Sequence, residues 1–119
     1  RFTSDPDVPR QMMAEKFVNF RKELAVMVAR NRRGECVVYP CVETVQENHI
    51  CRYVLAPAPE IDENIRRKAQ EIALAAVEAV EGVGVFGVEM FLTEDDELLY
   101  NEIAPRPHNS GHYTIEGCY

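Results

Sequence analysis

Between Asp62 and Val80 the residues Ile65, Ala69, Ile72, Ala76 and Val80 recur at steps of four, three, four and four, which sets them on one face of an α-helix. A helix with one apolar stripe must bury it against another layer. Glu60, Asp62 and Glu63 lie at its start, where the helix dipole favours negative charge, and Gly82 follows its end in a terminating position.

The flanking segments supply that layer as strands. Lys22 to Ala29 is apolar on both parities and reads as a buried strand. Asn31-Arg32-Arg33-Gly34 is a polar turn with a glycine, after which Glu35 to Tyr39 returns beside the first strand. Pro40 ends the pairing, Glu43 to Asn48 reads as a polar connection, and His49 to Leu55 is extended, closed by Ala56-Pro57-Ala58-Pro59. After the helix, Val83 to Leu92 and Leu98 to Ile103 are two strands around the acidic turn Glu94-Asp95-Asp96-Glu97. Strands, helix, strands predicts an α+β fold, an antiparallel sheet with packed helices, and not a doubly wound parallel sheet. Arg1 to Arg10 carries two prolines and reads as a loop or the tail of another lobe, and Met12 to Phe20 has no clear period.

With 119 residues the chain has room for one domain with a core of its own. Thirteen basic against twenty acidic residues give a net charge of −7, which disfavours a nucleic-acid partner. A phosphate ligand remains compatible with that charge if carboxylates hold a divalent cation. No window approaches the ~18 apolar residues of a membrane span, and the first residues do not read as a secretory leader. Cys36, Cys41, Cys51 and Cys118 lack the short paired spacing of a structural zinc site and read as reduced thiols.

If the last two strands pair symmetrically about Asp95-Asp96, Glu89 falls directly opposite Glu102. Like charges so placed are destabilising unless a cation sits between them, and two hard oxygen donors suit Mg²⁺. Both glutamates could equally be solvated on an outer face, and a bulge would change the register. The loop that follows, Ile103-Ala104-Pro105-Arg106-Pro107-His108-Asn109-Ser110-Gly111-His112, is dense in donors for an anion. Arg106 can grip a carboxylate or phosphate in two-point fashion, His108, Asn109 and Ser110 add directed hydrogen bonds, and the prolines fix the backbone. A cation site followed by an anion cradle points to phosphoryl transfer.

Gly87-Val88-Glu89-Met90-Phe91 and the run Asn101-Glu102-Ile103-Ala104-Pro105-Arg106-Pro107-His108-Asn109-Ser110-Gly111-His112 resemble the 5-(carboxyamino)imidazole ribonucleotide synthase family of ATP-grasp ligases in purine biosynthesis. In fungi and plants a similar region forms part of a two-activity phosphoribosylaminoimidazole carboxylase. Ala14-Glu15-Lys16-Phe17-Val18-Asn19-Phe20 and Lys22-Glu23-Leu24-Ala25-Val26 extend the resemblance over nearly the whole segment. It implies an ATP-grasp fold, with residues 1–14 the end of a small lobe or a linker and residues 15–119 part of the large nucleotide-binding lobe.

By matching position, the resemblance implies that Glu15 to Val18 form a hinge, that the backbone of Lys16 and Val18 bonds the adenine edge, and that Glu23 accepts from the ribose hydroxyls. Glu89 and Glu102 would hold Mg²⁺, and Asn101 would reach the phosphates, although strand alternation points it to the opposite face. The implied reaction uses ATP to join bicarbonate to the amine of 5-aminoimidazole ribonucleotide through carboxyphosphate. Arg106 would stabilise that intermediate, His108 would donate a hydrogen bond or carry a proton, and Asn109 and Ser110 would line the substrate side. His112 belongs to the site or caps a helix start, and His49 is left without a role. The resemblance also implies an amino-terminal domain, a small lobe with nucleotide-binding lysines and a basic carboxy-terminal part. Without them this segment is expected to fold and hold Mg²⁺-nucleotide weakly but not to turn over. A homodimeric parent in the cytoplasm, or in a plastid if from a plant, completes the expectation.

Overall fold

The computed structural model describes residues 13–48 and 50–117. The readings of Arg1 to Met12, His49 and Cys118 therefore lie outside the described residues. The elements in order are strands β1 (Lys22–Arg30), β2 (Cys36–Val38), β3 (Val42–Glu47) and β4 (Ile50–Leu55), helix α1 (Glu63–Ala79), strands β5 (Gly84–Leu92) and β6 (Leu98–Ala104), and helix α2 (Thr114–Gly117), with a 3₁₀ turn at Asn109–Gly111. Every strand pair is antiparallel, in the order β4-β3-β1-β5-β6. β2 shares an edge of β1 with β3, taking Val28–Arg30 while β3 takes Glu23–Ala25.

β1 is buried on both parities because both of its faces are covered. Leu24, Val26 and Val28 point into the core with Val88, Met90 and Leu92 of β5 and with Ala69, Ala73 and Val77 of α1. Ala25 and Met27, on the opposite face, are 0% and 5% exposed beneath the loop that follows β6. The helix is where the apolar period put it, but its inner face is turned slightly. Ala69, Ala73 and Val77 are fully buried, Ile65, Ile72 and Ala76 flank them, and Val80 is a half-exposed C-cap. Asp62 is the N-cap, accepting from the Asn64 amide at 2.7 Å. No basic residue lies in the last turn of α1, and Arg30 at the end of β1 donates to the carbonyls of Glu81 and Gly82 at 3.1 Å each. Gly82 is required there, since a Cβ would fall 2.3 Å from the Phe86 ring.

The segment Glu43 to Asn48 departs from expectation: it belongs largely to β3, which pairs with both β1 and β4. Its polar residues hid a strand because their partners are polar too. Glu43, on the helix-side parity, is neutralised by Lys22 at 2.7 Å, with each side chain only 13% exposed. Thr44 and Gln46 face the other way.

Candidate functional site

Glu89 and Glu102 are opposite each other across β5 and β6. Near the turn the register is one residue off symmetric pairing about Asp95-Asp96, with Met90 opposite Tyr100 and Leu92 opposite Leu98. Asn101 is the extra residue of a bulge, and it is this bulge that brings the two glutamates into register. A bulge also relaxes strict alternation, so Asn101 is not confined to the face opposite Glu102.

Burial and then the neighbouring Glu102 and Glu23 raise the Glu89 carboxyl above the usual carboxylate range. His108 completes the cluster: one ligand atom from each of Glu89, Glu102 and His108 lies within 4.8 Å of the others, the one such group among the described residues. His108 Nε2 is 3.4 Å from Glu89 Oε1. Burial and then the Arg106 guanidinium lower the His108 pKa, so the ring is neutral at pH 7. Two facing carboxylates with a neutral imidazole beside them fit a hard divalent cation such as Mg²⁺, which prefers oxygen donors and relieves the repulsion between them.

The loop after β6 folds back over this face. Arg106 is exposed and donates to the Pro107 carbonyl at 3.0 Å. His108 caps the 3₁₀ turn, packed so closely on β5 that a Cβ on Gly87 would lie 2.7 Å from its Cβ. Gly111 is pressed equally tightly against Met27. Ser110 is 0% exposed, with its hydroxyl 2.9 Å from His108 Nδ1, whereas Asn109 is exposed. His112 is exposed at the end of the turn, with its backbone N–H on Asn109 O.

A cavity of about 220 Å³ beside the carboxylates is lined by Thr44, Gln46, Ile50, Cys51, Glu89, His108, Asn109 and Ser110. Cys51 sits there with its thiol pKa raised by burial and then by Glu89 and Glu23. A second cavity of about 270 Å³ gathers Glu15, Lys16, Val18 and Asn101, four of the expected nucleotide residues, with Phe17, Phe20, Phe91, Leu99 and Tyr100. Its platform is Phe20 stacked on Phe91, with ring centroids 4.6 Å apart and planes 19° from parallel. Glu23, opposite Phe91 on β1, lines an adjoining groove with Phe20, Thr44 and Gln46. Burial raises its carboxyl, and a hydrogen bond from Gln46 partly offsets the rise.

Thr44, Gln46 and Ile50 carry no site signal in the sequence, Cys51 reads there only as a reduced thiol, and Phe20 and Phe91 only as parts of the resembling runs. The β-branched residues of Val42-Glu43-Thr44-Val45 were the available signal for β3; the phenylalanine stack had none, because it joins residues 71 positions apart.

The ATP-grasp domain model matches residues 3–119. The chain is 58% identical over 109 residues to phosphoribosylaminoimidazole carboxylase of Candida albicans, covering 92% of this chain and 19% of that protein. A carboxyaminoimidazole ribonucleotide synthase of Aspergillus clavatus, solved with ATP, superposes with a TM-score of 0.83 at 57% identity over 87% of this chain and 27% of that one. The N5-carboxyaminoimidazole synthase of Aspergillus clavatus in complex with ADP and 5-aminoimidazole ribonucleotide gives 0.82, again at 57% identity and with the same coverage. The chain thus spans about a fifth of the length of the curated relative and about a quarter of the solved ones.

Proposed function

The chain belongs to the ATP-grasp family, and we propose that it is the nucleotide- and cation-holding part of a ligase that carboxylates 5-aminoimidazole ribonucleotide with bicarbonate and ATP, in purine biosynthesis. The observation that carries the proposal is one sheet face with an aromatic platform at one point and a carboxylate pair two residues along β5, at Phe91 and Glu89. Residues two apart on a strand share a face and lie roughly 7 Å apart, a spacing one nucleotide bridges from base to phosphates.

In this reading residues 15–119 are part of the large lobe. The base lies against Phe20 and Phe91, the backbone of Lys16 and Val18 at the rim bonds its edge, and Glu15 closes the same cavity. Glu23, with one oxygen engaged by Gln46, accepts from the ribose hydroxyls. Glu89 and Glu102 hold Mg²⁺, which when bound neutralises charge on the phosphate oxygens, and Asn101 at the bulge reaches the same phosphates. Arg106, exposed above the cluster, stabilises carboxyphosphate, with His108 as a donor beside it and Asn109 at the substrate side.

ADP release by the full-length protein, with ATP, Mg²⁺ and bicarbonate, tests the proposal. Release should rise on adding 5-aminoimidazole ribonucleotide. Release indifferent to the ribonucleotide would leave the fold and assign the chemistry to another acceptor.

A further inference from the structure

Ser110 is the most deeply buried polar residue among the described residues, and no step above uses its hydroxyl. Its Oγ lies 2.9 Å from His108 Nδ1 and 3.5 Å from Met27 Sδ, and its backbone N–H points at the same Nδ1 from 3.4 Å. A hydroxyl has one proton to give, and a ring nitrogen at the shorter distance is a far stronger acceptor than a thioether. Two donors then converge on Nδ1, which must be the bare nitrogen, so the ring proton sits on Nε2. Nε2 in turn lies 3.4 Å from Glu89 Oε1. The other tautomer would set an N–H against the Ser110 amide and a lone pair against the Glu89 carboxylate, two repulsions in a buried pocket.

The ring has little freedom to escape this arrangement. On one side it lies on the bare backbone of Gly87, where a Cβ would come within 2.8 Å of His108 Cγ. The turn that carries it is seated on Met27, where a Cβ on Gly111 would meet Sδ at 2.9 Å.

We propose that Ser110 is a positioning residue: it locks His108 in the tautomer whose Nε2–H faces Glu89, making His108 a hydrogen-bond donor beside the carboxylate pair and not a ligand of the cation. The inference rests on the proposed ligase function, because only there does the direction of that N–H bear on turnover.

The test uses the full-length protein labelled with ¹⁵N-histidine, the His108 resonances being identified by their loss in His108→Asn. Long-range ¹H–¹⁵N spectra at about pH 8, above the ordinary histidine range, report which ring nitrogen carries the proton. The wild type should show His108 protonated on Nε2 alone. Ser110→Ala removes the hydroxyl donor and keeps the backbone N–H, so it should weaken the Nε2–H preference and lower kcat for ADP release about tenfold or more, with KM for ATP unchanged; tenfold corresponds to about 1.4 kcal/mol, the scale of one hydrogen bond. A wild-type proton on Nδ1 would overturn the proposal, as would a Ser110→Ala protein that keeps a pure Nε2–H ring and the wild-type kcat. Should Ser110→Ala fail to fold, Ser110→Cys, a weaker donor of similar size, takes its place in both readouts. A wild type without ribonucleotide-dependent ADP release would remove the ligase reading, while the spectrum would still decide the tautomer.

Discussion

Glu89 and Glu102 face each other because Asn101 is bulged out of the β5–β6 ladder; without the bulge Glu89 would meet Asn101 instead. The pairing sets like charges side by side, a cost that the proposed divalent cation would remove and that is open to measurement.

Glu102→Gln deletes the repulsion together with a ligand of the proposed cation site. Without Mg²⁺ the variant should be more stable than wild type by roughly 0.2–1 kcal/mol, the scale of a like-charge cross-strand pair. Wild type should gain in Tm on adding Mg²⁺, and the variant should not. Thermal denaturation with and without Mg²⁺ checks both signs, and a variant still stabilised by Mg²⁺ would move the cation elsewhere.

The same pair sets a pH dependence. Burial and Glu102 hold the Glu89 carboxyl above its usual range, so the folded protein binds this proton more tightly than the unfolded chain. The group's contribution to stability is fully present below the unfolded value, about 4.3, and is lost as pH rises through the raised folded value. Mg²⁺ competes with that proton. Its effect on Tm should therefore grow as pH rises from the ordinary carboxylate range toward neutrality; an effect that does not change with pH would show that Glu89 does not bind the ion.

Gly87→Ala places a methyl group where His108 Cβ now lies. Relief requires the loop to lift from β5, at a cost of about 1–3 kcal/mol typical of overpacking. Urea denaturation should show that loss, and kcat for ADP release should fall while ATP affinity, which the proposal assigns to the Phe20–Phe91 cavity, stays close to wild type. An unchanged urea midpoint would mean that the loop does not rest on Gly87.

Arg30 supplies from β1 the cation that α1 lacks in its last turn. Arg30→Ala should lower stability by about 1 kcal/mol, and Arg30→Lys should recover part of it. The urea midpoints of the two variants test this, and equality with wild type would discard the cap.

Cys41, 2% exposed, has its thiol pushed up to about 12 by burial. The unfolded chain loses this proton first, so the contribution is present below about pH 8.5 and declines as pH rises above it. Mass spectrometry after iodoacetamide treatment near pH 9 should find Cys41 unmodified in the folded protein and modified in urea. Rapid modification of the folded protein would contradict its burial.

Local pattern made several elements legible in the sequence, and tertiary contact decided the others. The Ile65 to Val80 period located α1, and the two-parity apolar run located β1, because each is a repeat within one segment. The Glu89–Glu102 pairing also followed from the hairpin, although it is reached through a bulge that symmetric pairing did not contain. β3 was read as a connection because Glu43 finds its counter-charge in Lys22, 21 residues away. Ser110 reads in the sequence as one more donor in the loop, because a serine there gives no sign of which way its hydroxyl turns. Only the packing of Gly87 and Met27 against the loop shows its hydroxyl facing inward.

The most direct test of the central claim, that one face of this sheet holds a nucleotide and a divalent cation together, is calorimetric titration of ATP into the full-length protein with and without Mg²⁺. Wild type should bind more tightly with Mg²⁺, Glu102→Gln should lose that Mg²⁺ dependence, and Phe91→Ala should bind weakly in both conditions. Retention by Glu102→Gln of the full Mg²⁺ enhancement, or wild-type affinity in Phe91→Ala, would contradict the account.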